Sequence, residues 1–241
     1  MTSAPVTSAA IAPAIRLHDL QFAWNKGSPL LDIADFQVRR SERLFLRGPS
    51  GSGKSTLLGL LGGVLVPQQG QVEILGTDLA ALGGAARDRF RADHIGIIFQ
   101  QFNLLPFLNV IENVTLACRF SPRRTQQVGD PAAEAARLLR SLDVDPQQLR
   151  QRSVRDLSVG QQQRVAAARA LIGAPEILIA DEPTSALDTD TRAAFLKLLF
   201  SECERAGTTL LFVSHDTSLA PLFTRTLALA DINRVSVAVP A

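Results

Sequence analysis

The chain has 241 residues, 46% of them hydrophobic, and is long enough to bury a full core as one large domain. Its net charge of +2 gives no strong attraction to nucleic acid, and its two cysteines are too few for a disulfide framework and favour a reducing compartment. No uninterrupted apolar run reaches about 18 residues, so we predict no membrane-spanning helix. The first element in chain order is a predicted disordered tail at residues 1–13, which are small, polar and proline-bearing.

Short apolar strands separated by turns dominate the next part of the sequence. The predicted strands are residues 15–24, 33–38, 43–47, 71–75 and 94–99. A helix is predicted after Gly53, with Leu57, Leu58, Leu60 and Leu61 as its apolar residues.

From residue 103 to about 155 the pattern changes to helices and loops, and Asp130 with Pro131 opens one of the helices. After that block we predict a helix from Ser158, a strand at 177–180, a helix at 191–205 and a strand at 210–213. Strands that alternate with helices indicate an α/β fold with a mainly parallel sheet covered by helices. The helical block is then a subdomain inserted into it.

The segment GPSGSGKST fits the phosphate-loop pattern G-x-x-x-x-G-K-[ST] and lies between a predicted strand and a predicted helix. Its glycines let backbone N–H groups turn inward towards phosphate oxygens, Lys54 supplies a charge for the β- and γ-phosphates, and the Ser55 hydroxyl can bind Mg²⁺. An ordinary glycine- and serine-rich turn would not need a lysine and a serine directly after its last glycine. The predicted nucleoside triphosphate site consists of Gly48, Pro49, Ser50, Gly51, Ser52, Gly53, Lys54, Ser55 and Thr56.

Two adjacent carboxylates end the apolar strand of EILIADEPTSALD. Ligands of open α/β sheets bind at the carboxyl ends of the strands, where we expect Asp181 and Glu182 to lie. Successive strand side chains point to opposite sides, so the two acids need not share a role. We predict that Asp181 binds Mg²⁺ and that Glu182 is the general base for a water in line with the γ-phosphate. The alternative is a solvated acidic pair that opens a loop.

The segment LSVGQQQRV reads locally as the start of a helix, with Ser158 as N-cap and Gln161 as its reciprocal partner. Gly160 lies in the first turn, where glycine costs about 1 kcal/mol relative to alanine. Because helix N-termini attract anions, we expect an anionic group to approach the backbone closely there.

Together these motifs resemble those of ATP-binding subunits of ABC transporters, in the same order and over nearly the whole chain. Gln100 after HIGIIF, SALD at 185–188 and VSHD at 213–216 complete the resemblance. It implies a RecA-like core at about 14–100 and 165–241, an antiparallel β subdomain, and a helical subdomain at about 101–164. It also implies hydrolysis of ATP with Mg²⁺ by a homodimer that sandwiches two ATP molecules head to tail.

The resemblance also explains the glycine in LSVGQ. In this family the segment contacts the γ-phosphate held by the partner subunit, so Ser158, Gly160 and Gln161 are expected to serve the partner's nucleotide. The family's usual pattern is LSGGQ, and this chain has Val159 at the third position. We expect activity to survive that departure, with weakened ATP-driven dimerisation.

Further roles rest on the resemblance alone. Gln100 resembles the glutamine that reaches Mg²⁺ or the attacking water, with Gln101 as the alternative register. His215 resembles the switch histidine that contacts the γ-phosphate, and Asp188 the residue that links the two sites across the dimer.

An aromatic residue on an early strand stacks on adenine in this family. Trp24 aligns with that position in the segment FAW, and Phe22 lies on the same strand face. Either aromatic could instead belong to the core.

Residues 91–114 resemble the subgroup that drives lipoprotein release, macrolide or peptide export and related envelope tasks. Polar amino-acid importers share part of this stretch, so an importer ATPase is the alternative. We expect residues 102–108 to dock an integral-membrane permease or to pack as helical-subdomain core. The implied location is the cytoplasmic face of the inner membrane, peripheral through the permease.

A soluble ABC ATPase acting on DNA or ribosomes is the competing class. Such proteins carry a long coiled-coil insertion or two cassettes, and this chain has one cassette, no heptad run and no basic stripe. We therefore expect no nucleic-acid partner. A nucleotide-binding module without catalysis is disfavoured because Glu182 and His215 are both present.

Overall fold

The computed structural model describes residues 12–25, 28–149 and 152–235. Most of the predicted disordered tail, residues 1–11, lies outside the described residues. The first part of the chain contains β1 (Ile15–Phe22), β2 (Leu31–Val38), β3 (Arg43–Arg47), α1 (Lys54–Leu61), β4 (Gln69–Ile74), β5 (Thr77–Asp78), α2 (Gly84–His94) and β6 (Ile95–Ile98).

Helices dominate the middle of the chain, and strands return after it. The elements after β6 are α3 (Val110–Phe120), α4 (Pro122–Val128), α5 (Pro131–Ser141), a 3₁₀ turn (Val154–Asp156), α6 (Val159–Leu171), β7 (Ile177–Asp181), α7 (Thr189–Ala206), β8 (Thr209–Val213), a second 3₁₀ turn (Thr217–Leu222), β9 (Arg225–Ala228) and α8 (Leu229–Ile232).

The strands form two sheets. A five-stranded sheet has the order β6-β7-β8-β3-β9, and each neighbouring pair is parallel. A four-stranded sheet has the order β2-β1-β4-β5, and each neighbouring pair is antiparallel. The α/β fold with a mainly parallel sheet and a separate antiparallel sheet therefore agrees with the sequence prediction.

Strand β7 is buried on both faces, as its continuous apolar run predicts. Leu178 and Ala180 belong to a core cluster shared with α3, α5, α6 and α7, whereas Ile177 and Ile179 belong to a second cluster shared with α1 and the antiparallel sheet. The two clusters hold the strand from both sides, so its carboxyl end is a rigid support for the residues that follow.

Several predicted boundaries were wrong. Strand β1 ends at Phe22, so Trp24 lies beyond the strand, and His94 ends helix α2 instead of starting β6. Helix α2 was not predicted because none of its residues is fully buried, which leaves no apolar face to read. Helix α7 begins at Thr189, two residues earlier than predicted, because Asp188 caps it.

Among the described residues, no helix combines the length and the apolar character needed to cross a bilayer.

Candidate functional site

The phosphate loop connects β3 to α1 in the parallel sheet. Gly53, which precedes α1, has φ of 97°, a left-handed backbone that a side chain would strain. Lys54 folds back over the loop, where its Nζ donates to the carbonyl oxygens of Gly48 at 2.7 Å and Pro49 at 2.8 Å. The hydroxyl of Ser52 is buried and has no hydrogen-bond partner. The loop thus holds a cation where phosphate oxygens are expected, whereas the Ser52 hydroxyl is buried and Ser52 does not line the cavity beside the loop.

Asp181 is the last residue of β7, and Glu182 follows it with a left-handed φ of 46°. Non-glycine residues in this backbone region are uncommon and are found disproportionately at functional sites. The N–H of Glu182 donates to the carbonyl oxygen of Val213 at 2.9 Å, which ties this turn to the end of β8. The two carboxylates therefore leave the sheet at a defined point with different directions.

The carboxylate of Glu182 is held by the loop after β8. Its Oε2 accepts from the Ser214 hydroxyl at 3.1 Å, and its Oε1 accepts from the backbone N–H of His215 at 2.9 Å. The His215 Nδ1 lies 2.9 Å from the same Oε1 and donates to it when the ring carries its proton there. Glu182 is 8% exposed, whereas the His215 side chain is 70% exposed. The buried acid is thus held by the Ser214 hydroxyl and the His215 backbone, and the His215 ring beside it reaches solvent.

These groups meet in one cavity of about 410 Å³. Its lining residues are Leu30, Ser50, Gly51, Gly53, Lys54, Ser55, Thr56, Gln100, Asp181, Glu182 and His215. Of the two glutamines considered for one role, Gln100 lines the cavity and Gln101 does not. Among the described residues that line it, none comes from the LSVGQ segment.

Asp181, the last residue of β7, has a perturbed pKa. Burial raises the pKa of Asp181, the neighbouring charge of Glu182 raises it further, and Lys54 partly lowers it. Ionised Asp181 is therefore short of positive charge, a need that a divalent cation would meet.

The donor set fits magnesium bound together with a nucleotide. Among the residues that the structure describes, no group of three or more His, Cys, Asp or Glu side chains could hold a metal by itself. Mg²⁺ typically uses one or two protein ligands, with phosphate oxygens and waters completing its octahedron. Ser55 and Asp181 both line the cavity and would be those protein ligands.

The LSVGQ segment starts helix α6. The N–H of Gln161 donates to the Ser158 Oγ at 3.2 Å, and the N–H of Ser158 donates to the Gln161 Oε1 at 3.0 Å, which forms the capping box that the sequence predicts. A Cβ on Gly160 would meet its nearest atom at 3.5 Å, an ordinary contact, and the residue has no left-handed φ. Packing within the chain therefore does not require glycine here. Val159 beside it is 46% exposed.

Asp188 and Trp24 lie on exposed surfaces. Asp188 caps α7 by accepting from the N–H of Thr191 at 2.9 Å and from its hydroxyl at 2.8 Å. These bonds lower the pKa of Asp188. The Trp24 ring is 63% exposed and stands edge-on to Phe22, with ring centroids 5.3 Å apart. Phe22 is 6% exposed, which assigns it to the core and leaves the Trp24 ring accessible.

A protein-family model described as ABC transporter matches residues 31–185 of this chain. The chain belongs to the ABC transporter family. Within that family it is an ATP-binding subunit and an ATPase.

Relatives and solved structures of this family cover most of the chain. It is 39% identical to the uncharacterized ABC transporter ATP-binding protein YbbA of Escherichia coli (strain K12), over 90% of this chain and 94% of that protein. It is 42% identical to the lipoprotein-releasing system ATP-binding protein LolD of Anaeromyxobacter dehalogenans, over 85% of this chain and 84% of that protein.

A solved dimeric structure of the ATP-binding cassette MJ0796 in a post-hydrolysis state, bound to ADP and Pi, superposes with a TM-score of 0.79. It is 34% identical and covers 89% of this chain and 93% of the other. MJ0796 comes from Methanocaldococcus jannaschii. The RecA-like fold predicted from the motifs is confirmed by this match.

Sequence reasoning missed three side chains of this ABC ATPase. Ser214 supports Glu182, and Arg192 of α7 bonds to Asp216 beside His215. Arg169 of α6 donates to the carbonyl oxygens of Phe102 at 2.5 Å and Asn103 at 2.7 Å, just after Gln100. Ser214 lies within the VSHD motif and could have been found there, but nothing local marks the two arginines.

Proposed function

We propose that this chain is the motor of an ABC transporter, in which Mg-ATP closes two copies head to tail and hydrolysis opens them. One observation carries the dimer: the cavity around Lys54 is lined without any residue of LSVGQ. Each site then has the N-terminus of α1 but lacks that of α6, which a second copy would supply. The glycine at position 160, which its own chain does not require, supports a close approach by the partner's nucleotide.

The phosphate groups have a clear set of binding residues in this proposal. Lys54 leaves the carbonyl oxygens of Gly48 and Pro49 and binds the β- and γ-phosphates. Ser55 and Asp181 hold Mg²⁺, which neutralises the phosphate charge. Gln100 orients the attacking water or reaches the metal.

Glu182 and His215, which follow β7 and β8, act together at the γ-phosphate in this proposal. Glu182 accepts the proton of the water in line with the γ-phosphate, and His215 contacts that phosphate. In the structure the His215 ring lies 2.9 Å from the Glu182 Oε1, so the two groups contact each other. In this proposal ATP draws His215 towards the γ-phosphate and releases the Glu182 Oε1 from its contact with the ring.

We propose that the adenine base stacks on Trp24. Its exposed ring lines a second cavity of about 600 Å³ together with Pro29 and Gln68. The face of an exposed tryptophan ring that meets Phe22 edge-on is suited to a planar ligand.

Glu182→Gln tests the base and the dimer together. The amide keeps the size of the side chain but cannot accept a proton at neutral pH, so hydrolysis should fall by roughly 10²- to 10⁴-fold while ATP still binds. ATP then keeps bridging Lys54 of one copy and Ser158 of the other, and size-exclusion chromatography with Mg-ATP should show a stable dimer.

The matched control is Glu204→Gln, an acid on the exposed part of α7 away from the cavity, which should leave both properties unchanged. Adding Val159→Gly to the Glu182→Gln chain should shift the equilibrium further towards dimer. Hydrolysis at the wild-type rate by Glu182→Gln would contradict the role of Glu182 as the base. A Glu182→Gln chain that stays monomeric with ATP would contradict the head-to-tail dimer.

For the permease we propose a docking surface beside residues 102–108, within a helical subdomain spanning about 101–164. A groove of about 480 Å³ lies between β6, α2, α3 and α6, and its wall includes Phe99 and Phe120. These rings are 41% and 69% exposed, and Phe107 nearby in sequence is 79% exposed. Phe102 is 7% exposed and belongs to the core, so only part of the predicted segment is available to a partner.

We propose export or another envelope task as the transport role, at the cytoplasmic face of the inner membrane. The resemblance to the lipoprotein-releasing LolD protein supports it. Purification from native membranes in detergent should recover a permease with few membrane helices and a large extracytoplasmic domain. Phe120→Ser should lose this permease and Val64→Ser, an exposed apolar residue elsewhere, should retain it. Recovery of a permease of the polar amino-acid importer type would favour an importer ATPase. Recovery of ribosomes or DNA instead of a permease would favour a soluble ABC ATPase.

A further inference from the structure

Arg192, in the first turn of α7, joins two segments that are distant in sequence. Its Nη1 donates to the carboxylate of Asp216, and its Nη2 donates to the carbonyl oxygen of Leu187 at 3.0 Å. The Arg192 side chain is 20% exposed and that of Asp216 is 30% exposed, so the pair is partly shielded from water. A planar guanidinium can hold both acceptors at once in a fixed geometry.

The two acceptors belong to different parts of the catalytic apparatus. Leu187 lies in SALD, the segment that ends at the exposed Asp188. Asp216 directly follows His215, and its other carboxylate oxygen accepts from the N–H and the hydroxyl of Ser218 at 3.0 and 2.6 Å. A displacement of SALD is thus transmitted through one side chain to the backbone next to His215.

The position of Arg192 is unfavourable for the helix that carries it. A cation near a helix N-terminus opposes the positive end of the helix dipole, at a cost of some tenths of a kcal/mol. The helix already has its cap from Asp188, so an arginine is not needed to form it. Its contacts outside the helix account for its presence better than helix stability does.

We propose that Arg192 is a positioning residue that ties the SALD segment to the loop bearing His215, so that arrival of the second subunit sets the orientation of His215 and Glu182. The proposal rests on the proposed head-to-tail dimer, because that dimer places the partner against SALD. The tie through Arg192 would explain how the contact between His215 and Glu182 is released. Docking of the partner moves Leu187, and Arg192 passes the movement to Asp216.

A mutant cycle in ATP hydrolysis tests the tie. Arg192→Ala and Asp216→Asn should each lower kcat by about tenfold, with the KM for ATP changed by less than about twofold, because neither side chain lines the phosphate cavity. The double variant should be no slower than either single variant, since the two residues act as one unit. Arg205→Ala, which breaks an ion pair with Glu202 at the other end of α7, is the control and should keep the wild-type kcat.

Arg192→Lys distinguishes the positioning role of Arg192 from the effect of its positive charge and from its effect on folding. Lysine can pair with Asp216 but cannot hold Leu187 at the same time through a planar fork. Arg192→Ala should lower the melting midpoint, and Arg192→Lys should restore it while most of the loss of kcat remains. Full recovery of kcat by lysine, an unchanged kcat in Arg192→Ala, or losses that multiply in the double variant would each overturn the tie. Size-exclusion chromatography of the Glu182→Gln chain with Mg-ATP reports separately on the dimer: a chain that stays monomeric would contradict the dimer, not the mutant cycle.

Discussion

The two ends of strand β7 are built in opposite ways. At its amino end, Glu176 pairs with Arg123 at 2.5 Å, and its other oxygen lies 3.1 Å from the Nδ1 of His94. Burial raises the pKa of Glu176, but the hydrogen bonds from His94 and Arg123 outweigh it and lower the pKa to about 2. At its carboxyl end, burial and the charge of Glu182 leave Asp181 with a raised pKa.

The difference lies in what satisfies each acid. Glu176 finds its cationic partners within the chain, and its ion pair joins the start of β7 to α2 and α4. Among the described residues, Lys54 is the cation that partly offsets the charge of Glu182 at Asp181, and Lys54 donates to backbone carbonyls of its own loop. One end of the strand therefore contributes stability, and the other retains an electrostatic deficit that a bound cation relieves, at some expense of stability.

The largest effect expected at the functional end is that of Lys54→Ala. It removes the cation from the phosphate loop, and hydrolysis should fall by at least about 10³-fold with loss of ATP binding, because no other lysine or arginine lines that cavity among the described residues. The melting midpoint without nucleotide should change little, since the hydrogen bonds of Lys54 in the described part of the chain go to carbonyl oxygens of its own loop. Binding of a fluorescent ATP analogue and steady-state turnover measure the result, and normal turnover would contradict the assignment of the phosphate loop.

Asp181→Asn should separate stability from activity at the same end. Because the folded pKa is raised, the stabilisation that the protonated carboxyl contributes is present at acidic pH and is lost as the pH rises through the folded pKa. The neutral amide should therefore raise the melting midpoint of the ligand-free chain at pH 7, by about 2–4 °C, and less in acid. Mg²⁺-dependent hydrolysis should be lost. A lower melting midpoint at pH 7 would show that ionised Asp181 is already satisfied within the chain.

Glu176→Gln should act in the reverse sense at the amino end. Its folded pKa is lowered, so the stabilisation is present above the unfolded pKa of about 4.5 and is lost as the pH falls towards 2. Losing the charged contacts to Arg123 and His94 should cost about 2 kcal/mol, or about 4–8 °C in melting midpoint at pH 7, with ATP affinity unchanged. The difference from wild type should shrink between about pH 4.5 and 2. A pH-independent difference would mean that packing, not charge, is lost.

Local features of the sequence were enough to predict the centre of this site. The apolar run of β7, the glycine pattern before Lys54 and the capping box at Ser158 each depend on neighbours within a few residues. Strand period, loop pattern and cap chemistry act over that range, which is why the fold class and the phosphate loop could be read without coordinates. The roles of the individual site residues stay predictions.

Tertiary structure decided which side chains meet. The choice between Gln100 and Gln101 depended on which of them lines the cavity. The choice between Trp24 and Phe22 depended on which ring is exposed. The contacts of Glu182 with His215 and of Arg192 with Asp216 join residues 33 and 24 positions apart, and they exist because β7 and β8 are neighbours in the parallel sheet. Strand order is set by burial of the whole sheet between two cores. A sequence window of a few residues therefore cannot predict the strand order.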